Sequence, residues 1–354
     1  MRRVCFFGAY DPAYPRNRIL RQGLTLEGYE VGEARVRETR AFRRWPALAA
    51  RFSAAARGAS VVLVPEFRHK DVPLARALCG RRMLVFDPLV SRVDTLVEDW
   101  RLHAPGSAQA RWNAWIDRIA LSLPDRVLCD TWAHGRLFET LGARRDRLRR
   151  VLVGAEDAFF AVPPRDIESE VRVLYLGGFL PLHGVGVLID ALARLEQRRD
   201  LPPWRATLAG RGIEWERSRQ SARERGLARV EFPGPVDYAE APRWMAASDV
   251  VLGAFGAGEK AGRVIPHKVY QGLAAGRAVL TGAGEGLNEV FEPGVHLEAV
   301  TRGDAAALAG ALGELIADRD RRELRARAGR ERALEVASPR RIGAELAAIL
   351  AERE

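Results

Sequence analysis

The stretch "RVIPHKVYQGLAAGRAV" (263–279) carries an arginine, a lysine and a glutamine at spacings that suit one polyanionic ligand. Pro266 fits the first position of a short helix, where its missing N–H costs nothing, and Gly276 fits the residue just past its end. Lys268 and Gln271 are three apart, so both project from one side of that helix. Arg263 and Lys268 then flank a helix N-terminus, where fixed cations and backbone N–H donors converge. A diphosphate matches that arrangement. Gln271, one turn on, can donate to and accept from vicinal hydroxyls such as those of a ribose.

A second stretch, "YLGGFLPLHGVGVLIDAL" (175–192), runs from a buried strand through Gly177 and Gly178 into a helix starting near Gly184. Free N–H groups at such a turn suit phosphate oxygens, and His183 stands where it can meet a phosphate or a sugar hydroxyl. The spacing is not G-x-G-x-x-G, so a nicotinamide fingerprint is absent. Near the N-terminus, Gly8 ends a first strand, and Arg16 and Arg18 open the next helix. Cations at that end of a helix are unfavourable on their own and point to an anion nearby. His103 and His134 read as surface residues.

The elements that position these groups alternate strand, turn and helix. Strands are predicted over 3–9, 29–36, 60–65, 82–88, 126–131 and 150–155, then over 171–178, 204–210, 230–236, 249–255 and 277–283. Several are continuous apolar runs, as in parallel strands covered on both faces. Helices are predicted over 110–123, 132–142, 185–197, 214–226, 239–247 and 266–275, with an arginine-rich helical tail from about 304 to 353. The proline-rich, charged segment "AVPPRDIESE" (161–170) reads as a linker. The expected fold class is therefore α/β, with two Rossmann-like doubly wound domains facing across a cleft. Domains are expected at 1–165 and 166–338, with a C-terminal helix over 339–354 packing back toward the first.

At 354 residues, two domains are the default. The N-terminus carries too short an apolar run for a signal peptide, and no run suits a membrane span. Cys5, Cys79 and Cys129 form no CxxC pair, so neither a disulfide framework nor a zinc site is expected, and a cytoplasmic setting is. A net charge of +10 favours an anionic partner. Lysine occurs only at 70, 260 and 268, so almost every cation is arginine. No nucleic-acid recognition motif or aromatic stacking platform accompanies the charge.

The second half resembles the nucleotide-binding domain of retaining glycosyltransferases of family 4, which have the GT-B architecture. "QGLAAGRAVLTG" (271–282) matches the end of that family's E-x7-E segment, and 175–192 resembles its "G-R-L-x-x-x-K-G-x-x-x-L-I-x-A". "ATLAGRG" (206–212), which contains Gly210, and "FPGPVDYAEAPRWMAASDVVL" (232–252) resemble the segments that follow. In the first half, "PDRVLCDTWAHGRLFETLG" and "VLVGAEDAFF" resemble the last strands and the interdomain joint.

The resemblance implies transfer of a sugar from a nucleoside-diphosphate sugar to a hydroxyl with retention, without metal or cofactor. It implies donor-binding roles for Gly8, Gly177, Gly178, His183, Gly210, Arg263, Lys268, Gln271 and Glu289. Arg263, Lys268 and His69 are the implied catalytic groups, and Asp87 and Asp94 candidates for the acceptor. The sequence departs from the family: Arg263 and Gln271 stand where the two glutamates fall, and Gly178 and His183 replace an arginine and a lysine. Arg263 and Lys268 are expected to supply the displaced charge. Two readings stay open, an active transferase and a catalytically degenerate nucleotide- or sugar-binding protein. The basic segments "RETRAFRRW" and "ARRDRLRR" add an expected peripheral contact with an anionic bilayer, the acceptor then being lipid-linked or a cell-envelope glycan.

Overall fold

The computed structural model describes residues 2–38, 40–164 and 170–352. The chain divides into two compact units, 1–153 with 339–354, and 154–338. The boundary expected at 165/166 lies outside the described residues. The segment before it belongs to the second unit for a physical reason. Ala155 donates to the Ala337 carbonyl, Arg330 reaches the carbonyls of Phe160 and Val162, and Arg277 reaches that of Pro163.

The first unit holds β1 (Arg2–Gly8), β2 (Tyr29–Arg35), β3 (Val61–Val64), β4 (Met83–Phe86), β5 (Arg126–Cys129) and β6 (Leu148–Arg150). They form one parallel sheet in the order β2-β1-β3-β4-β5-β6. The central strands are almost wholly buried, which is why they read as unbroken apolar runs. The strand expected over 150–155 ends at Arg150. Val151, Leu152 and Val153 are buried as a connector, where Val151 N–H donates to the Cys129 carbonyl and the Leu152 carbonyl accepts from Arg16. The C-terminal helix Pro339–Ala351 lies on the helix Pro15–Leu26 of the same unit. Gly23 and Gly343 face each other there, and a Cβ on either would overlap the other's backbone. Gly343→Val is expected to cost about 1–3 kcal/mol through overpacking. Gly310→Ala, where nothing lies within 4 Å of a new Cβ, is expected to stabilise by about 0.5–1 kcal/mol. Melting temperatures of the two variants compare the effects directly.

The second unit holds β7 (Val171–Leu176), β8 (Trp204–Ala209), β9 (Val230–Gly234), β10 (Val250–Leu252), β11 (Ala278–Gly282) and β12 (Glu298–Val300). Its parallel order is β12-β11-β10-β7-β8-β9. The short β12 was not expected from the sequence. Each sheet reverses direction beside its first strand, the first between β1 and β3, the second between β7 and β10. In open α/β sheets ligands bind outside the carboxyl ends of strands at such reversals. The arginine-rich tail is three helices rather than one: Ala305–Ala317, Arg319–Ala337 and Pro339–Ala351. Asp318 caps the second by accepting from Arg321 N–H, and Pro339 opens the third. Among the described residues no helix is long and apolar enough to cross a membrane.

Candidate functional site

In the second unit, β7 delivers Tyr175 and Gly177 to its carboxyl end beside the β10 reversal. Gly177 has φ of +150°, which a side chain would strain, and a Cβ there would come 2.8 Å from Lys268 Nζ. Lys268 lies on the helix His267–Ala274, one position later than Pro266, which occupies the cap instead of the first helical position. That cap has no side-chain acceptor, so the helix N-terminus is uncapped. Gly276 closes the helix with φ of +64°, as expected.

Lys268 is 5% exposed, and its Nζ has no hydrogen-bond partner among the described residues. Its one close partner is the face of Tyr175, 3.7 Å from Nζ to the ring centroid. Burial holds the ammonium well below the ordinary lysine range. An amine buried this deeply without an acceptor is costly unless something brings it one.

His183 and Gly178 form the opposite wall. The Gly178 carbonyl accepts from the Tyr175 hydroxyl and from His183 Nδ1–H. Burial, and then the proximity of Lys268, push His183 well below the usual imidazole range. A neutral ring donating from Nδ1 offers only a lone pair at Nε2, so His183 can accept from a hydroxyl but cannot neutralise a phosphate. Gly210, φ +140°, stands where the ends of β7 and β8 meet, and a Cβ there would overlap the Gly177 carbonyl oxygen. Its role is close backbone packing beneath the site.

Gln271 is buried, and its Nε2–H donates to the Tyr238 hydroxyl (2.8 Å), which donates to Glu156. Its carbonyl oxygen and second N–H are left for a ribose. Arg263 ends the short helix Glu259–Arg263, 3.8 Å from the exposed Glu259 carboxylate. The helix Glu285–Asn288, with Glu289 just beyond it, packs on that element, where a Cβ at Gly284 would meet the Gly262 carbonyl at 2.6 Å. Arg302 threads between Gly262 and Gly282, and its Nη1 is buried without a hydrogen-bond partner among the described residues. The sequence reading passed over Tyr175, Lys260 and Arg302. Only Lys260, one of three lysines in a chain of arginines, left a trace in the sequence.

The first-unit candidates are placed differently. Asp87 is no free acceptor ligand: its carboxylate takes two bonds from Arg16, at 2.8 and 3.2 Å, and both residues are buried. Arg16 also donates to the Leu152 carbonyl at 2.5 Å. The anion that the N-terminal arginines point to is thus inside the unit, while Arg18 is exposed. His69 is buried edge-on to Phe86, with Nε2 3.5 Å from Asp117, and burial pushes it down to about 4. It does not stand at an open edge of the domain. Asp94 is buried at the start of a wide helical turn, Asp94–Asp99. Gly8 has φ of +138°, which favours glycine, and a Cβ would come tightly, 3.2 Å from Asp71 and 3.3 Å from Arg68. His134 is fully buried against Asp130, 2.7 Å away, rather than on the surface. Glu66, overlooked in the sequence, is a buried carboxyl pushed up to about 8 by burial and by Asp87.

Residues 170–318 match the family model described as glycosyl transferases group 1. Comparison with curated proteins gives no match. Among solved structures, Anabaena HepE in complex with UDP and glucose is 18% identical, with TM-score 0.73, covering 99% of this chain and 100% of that one. Sucrose-phosphate synthase from Thermosynechococcus elongatus is 17% identical, with TM-score 0.77, covering 99% and 98%. The lipopolysaccharide outer core galactosyltransferase WaaB is 14% identical, with TM-score 0.66, covering 99% and 100%. The fold is the GT-B fold of glycosyltransferases. The family match over the second unit and the shared fold together support a glycosyltransferase.

Proposed function

We propose that this protein transfers a sugar from a nucleoside-diphosphate sugar to an acceptor hydroxyl, with the nucleotide held by the second unit. The observation that carries the reading is the buried, acceptorless ammonium of Lys268 at an uncapped helix N-terminus beside the β7/β10 reversal. That HepE was solved with UDP and glucose supports a uridine nucleotide as the first donor to try. Assignment to family 4 and a bacterial, cytoplasmic setting belong to this proposal, as does an acceptor that is a lipid-linked or cell-envelope glycan.

In the proposed reaction the bond from the anomeric carbon to the diphosphate oxygen breaks as the acceptor oxygen bonds to the same face. The acceptor proton passes to the departing phosphate oxygen, so configuration is retained. Charge grows on the diphosphate, and Lys268, Arg263 and the helix N–H groups are the groups proposed to stabilise it, with no metal or cofactor assigned to the step. Losing one such donor typically costs about 10²–10³ in rate. His183 Nε2 and the Gln271 carbonyl accept from hydroxyls of the donor. Exposed Arg37, Arg43, Arg144 and Arg145 support peripheral contact with an anionic bilayer.

A panel of nucleoside diphosphates and their sugar conjugates tests the proposal by thermal stability and by release of free sugar. A ligand at about 100 times its Kd stabilises by about 2.7 kcal/mol. One nucleotide is expected to raise the melting temperature, and its sugar conjugate to turn over. Binding without turnover selects the second reading, a degenerate binding protein, which Arg263 in place of an acidic residue favours. No shift with any nucleotide overturns both.

A further inference from the structure

The carboxyl ends of β1 and β3, where the first sheet reverses, carry a cluster of cations that no step so far uses. Arg68 and Lys70 lie in the loop that follows β3. Arg44 is drawn to the same loop by Asp71, 2.6 Å from its Nε, and the other oxygen of Asp71 accepts from Ala9 N–H just after Gly8. Arg92 is brought to the loop from the other side by Asp117. That carboxylate accepts from Arg92 N–H (3.1 Å), Val93 N–H and the Ser91 hydroxyl, and it faces His69 Nε2. Arg92 also holds Asn113 through Nε (2.9 Å).

Asp71 pairs with Arg44 and Asp117 holds the backbone at Arg92, so both carboxylates are already engaged. Arg44 is spent on Asp71. Arg68 donates only a long bond, 3.3 Å, from Nε to the Glu66 carbonyl. Lys70 has no hydrogen bond or ion pair among the described residues. The cations repel one another. Burial, and then Arg92 and Arg44, hold Lys70 below its ordinary range. Arg92 is likewise held down by burial, with Arg44 and Arg68 adding to it against the pull of Asp117. Arg68 and Lys70 also precede the helix Val72–Cys79, an end that repels cations, so helix and side chains favour an anion at the same place. Of the three lysines in the chain, the one in the first unit is Lys70.

We propose that Arg68, Lys70 and Arg92 form a phosphoryl-binding site in the first unit, and that the acceptor carries a phosphate group. Naming this ligand the acceptor rests on the transferase reading above; the anion site itself does not. The phosphate can belong to a lipid headgroup or to a soluble sugar phosphate, since both present the same oxygens to the same three cations.

The test is calorimetric titration of inorganic phosphate into the wild type, Lys70→Glu and Lys268→Met, each also titrated with UDP. Wild type and Lys268→Met are expected to bind phosphate alike, and Lys70→Glu at least tenfold more weakly while keeping its UDP affinity. Lys70→Met, which removes the charge without reversing it, is expected to fall between. Phosphate binding that vanishes in Lys268→Met and is unchanged in Lys70→Glu overturns the proposal, as does no phosphate binding at all. Failure of the transferase reading shows separately, as no response to UDP in any of the proteins. Vesicles of phosphatidylglycerol against phosphatidylcholine tell the sources apart. Lys70-dependent binding to the former alone supports a lipid phosphate, and phosphate binding with neither supports a soluble one.

Discussion

Lys268→Met is expected to raise the melting temperature of the ligand-free protein while abolishing its response to UDP. The opposite signs come from one atom. Nζ is buried with no acceptor, so folding strips its water and gives back only the Tyr175 face. A methionine of similar length removes that penalty, and exchanging buried charge for apolar volume is commonly neutral or stabilising by about 1–4 kcal/mol. A diphosphate arriving at the wild type finds a dry amine that it holds in the charged form, and truncating one member of such a pair costs about 2–5 kcal/mol, a 30-fold or greater loss of affinity. Melting curves with and without UDP read both effects. A variant less stable than wild type that still responds to UDP would mean that Lys268 is a packing residue only.

Arg16→Met is expected to be the most damaging single change, at about 3–5 kcal/mol. It strands Asp87, which is buried, within reach of the Glu66 carboxyl, and otherwise paired by two bonds from this guanidinium. It also leaves the Leu152 carbonyl without its donor. Against a typical total of about 5–15 kcal/mol this is a large fraction. The double variant Arg16→Met, Asp87→Asn should recover most of it. Urea midpoints of the single and double variants check both expectations. A single variant within about 1 kcal/mol of wild type would show that the pair is incidental.

The parts of this protein legible in its sequence are the local ones. The apolar strands, the glycine turn at 177–178 and the lysine three before a glutamine on a short helix are short-range patterns, and the structure places Gly177 and Lys268 together. What sequence could not show is which distant group answers which. Arg16 and Asp87 are 71 residues apart, and each alone reads as a free charge. His69, expected as a catalytic group, could not be seen as buried because the neighbours that cover it, Phe86 and Asp117, come from other elements. His134 is similar: a histidine one turn from Asp130 can face either way, and only the packing decides. The same blindness hid the anion site, whose cations Arg68 and Lys70 come from one loop and Arg92 from another.

Calorimetric titration of UDP in buffers of different ionisation enthalpy is the most direct measurement on the central claim. Burial holds Lys268 well below its ordinary range, so much of the free protein carries the neutral amine at a pH above that lowered value. A bound diphosphate favours the charged form and draws a proton from the buffer. The observed enthalpy should therefore rise with the buffer's ionisation enthalpy, and affinity should fall by up to about tenfold per pH unit as pH rises above the lowered value. The expected result is net proton uptake by the wild type and no measurable binding by Lys268→Met. UDP binding with no proton uptake, and of equal strength in both proteins, would contradict the account.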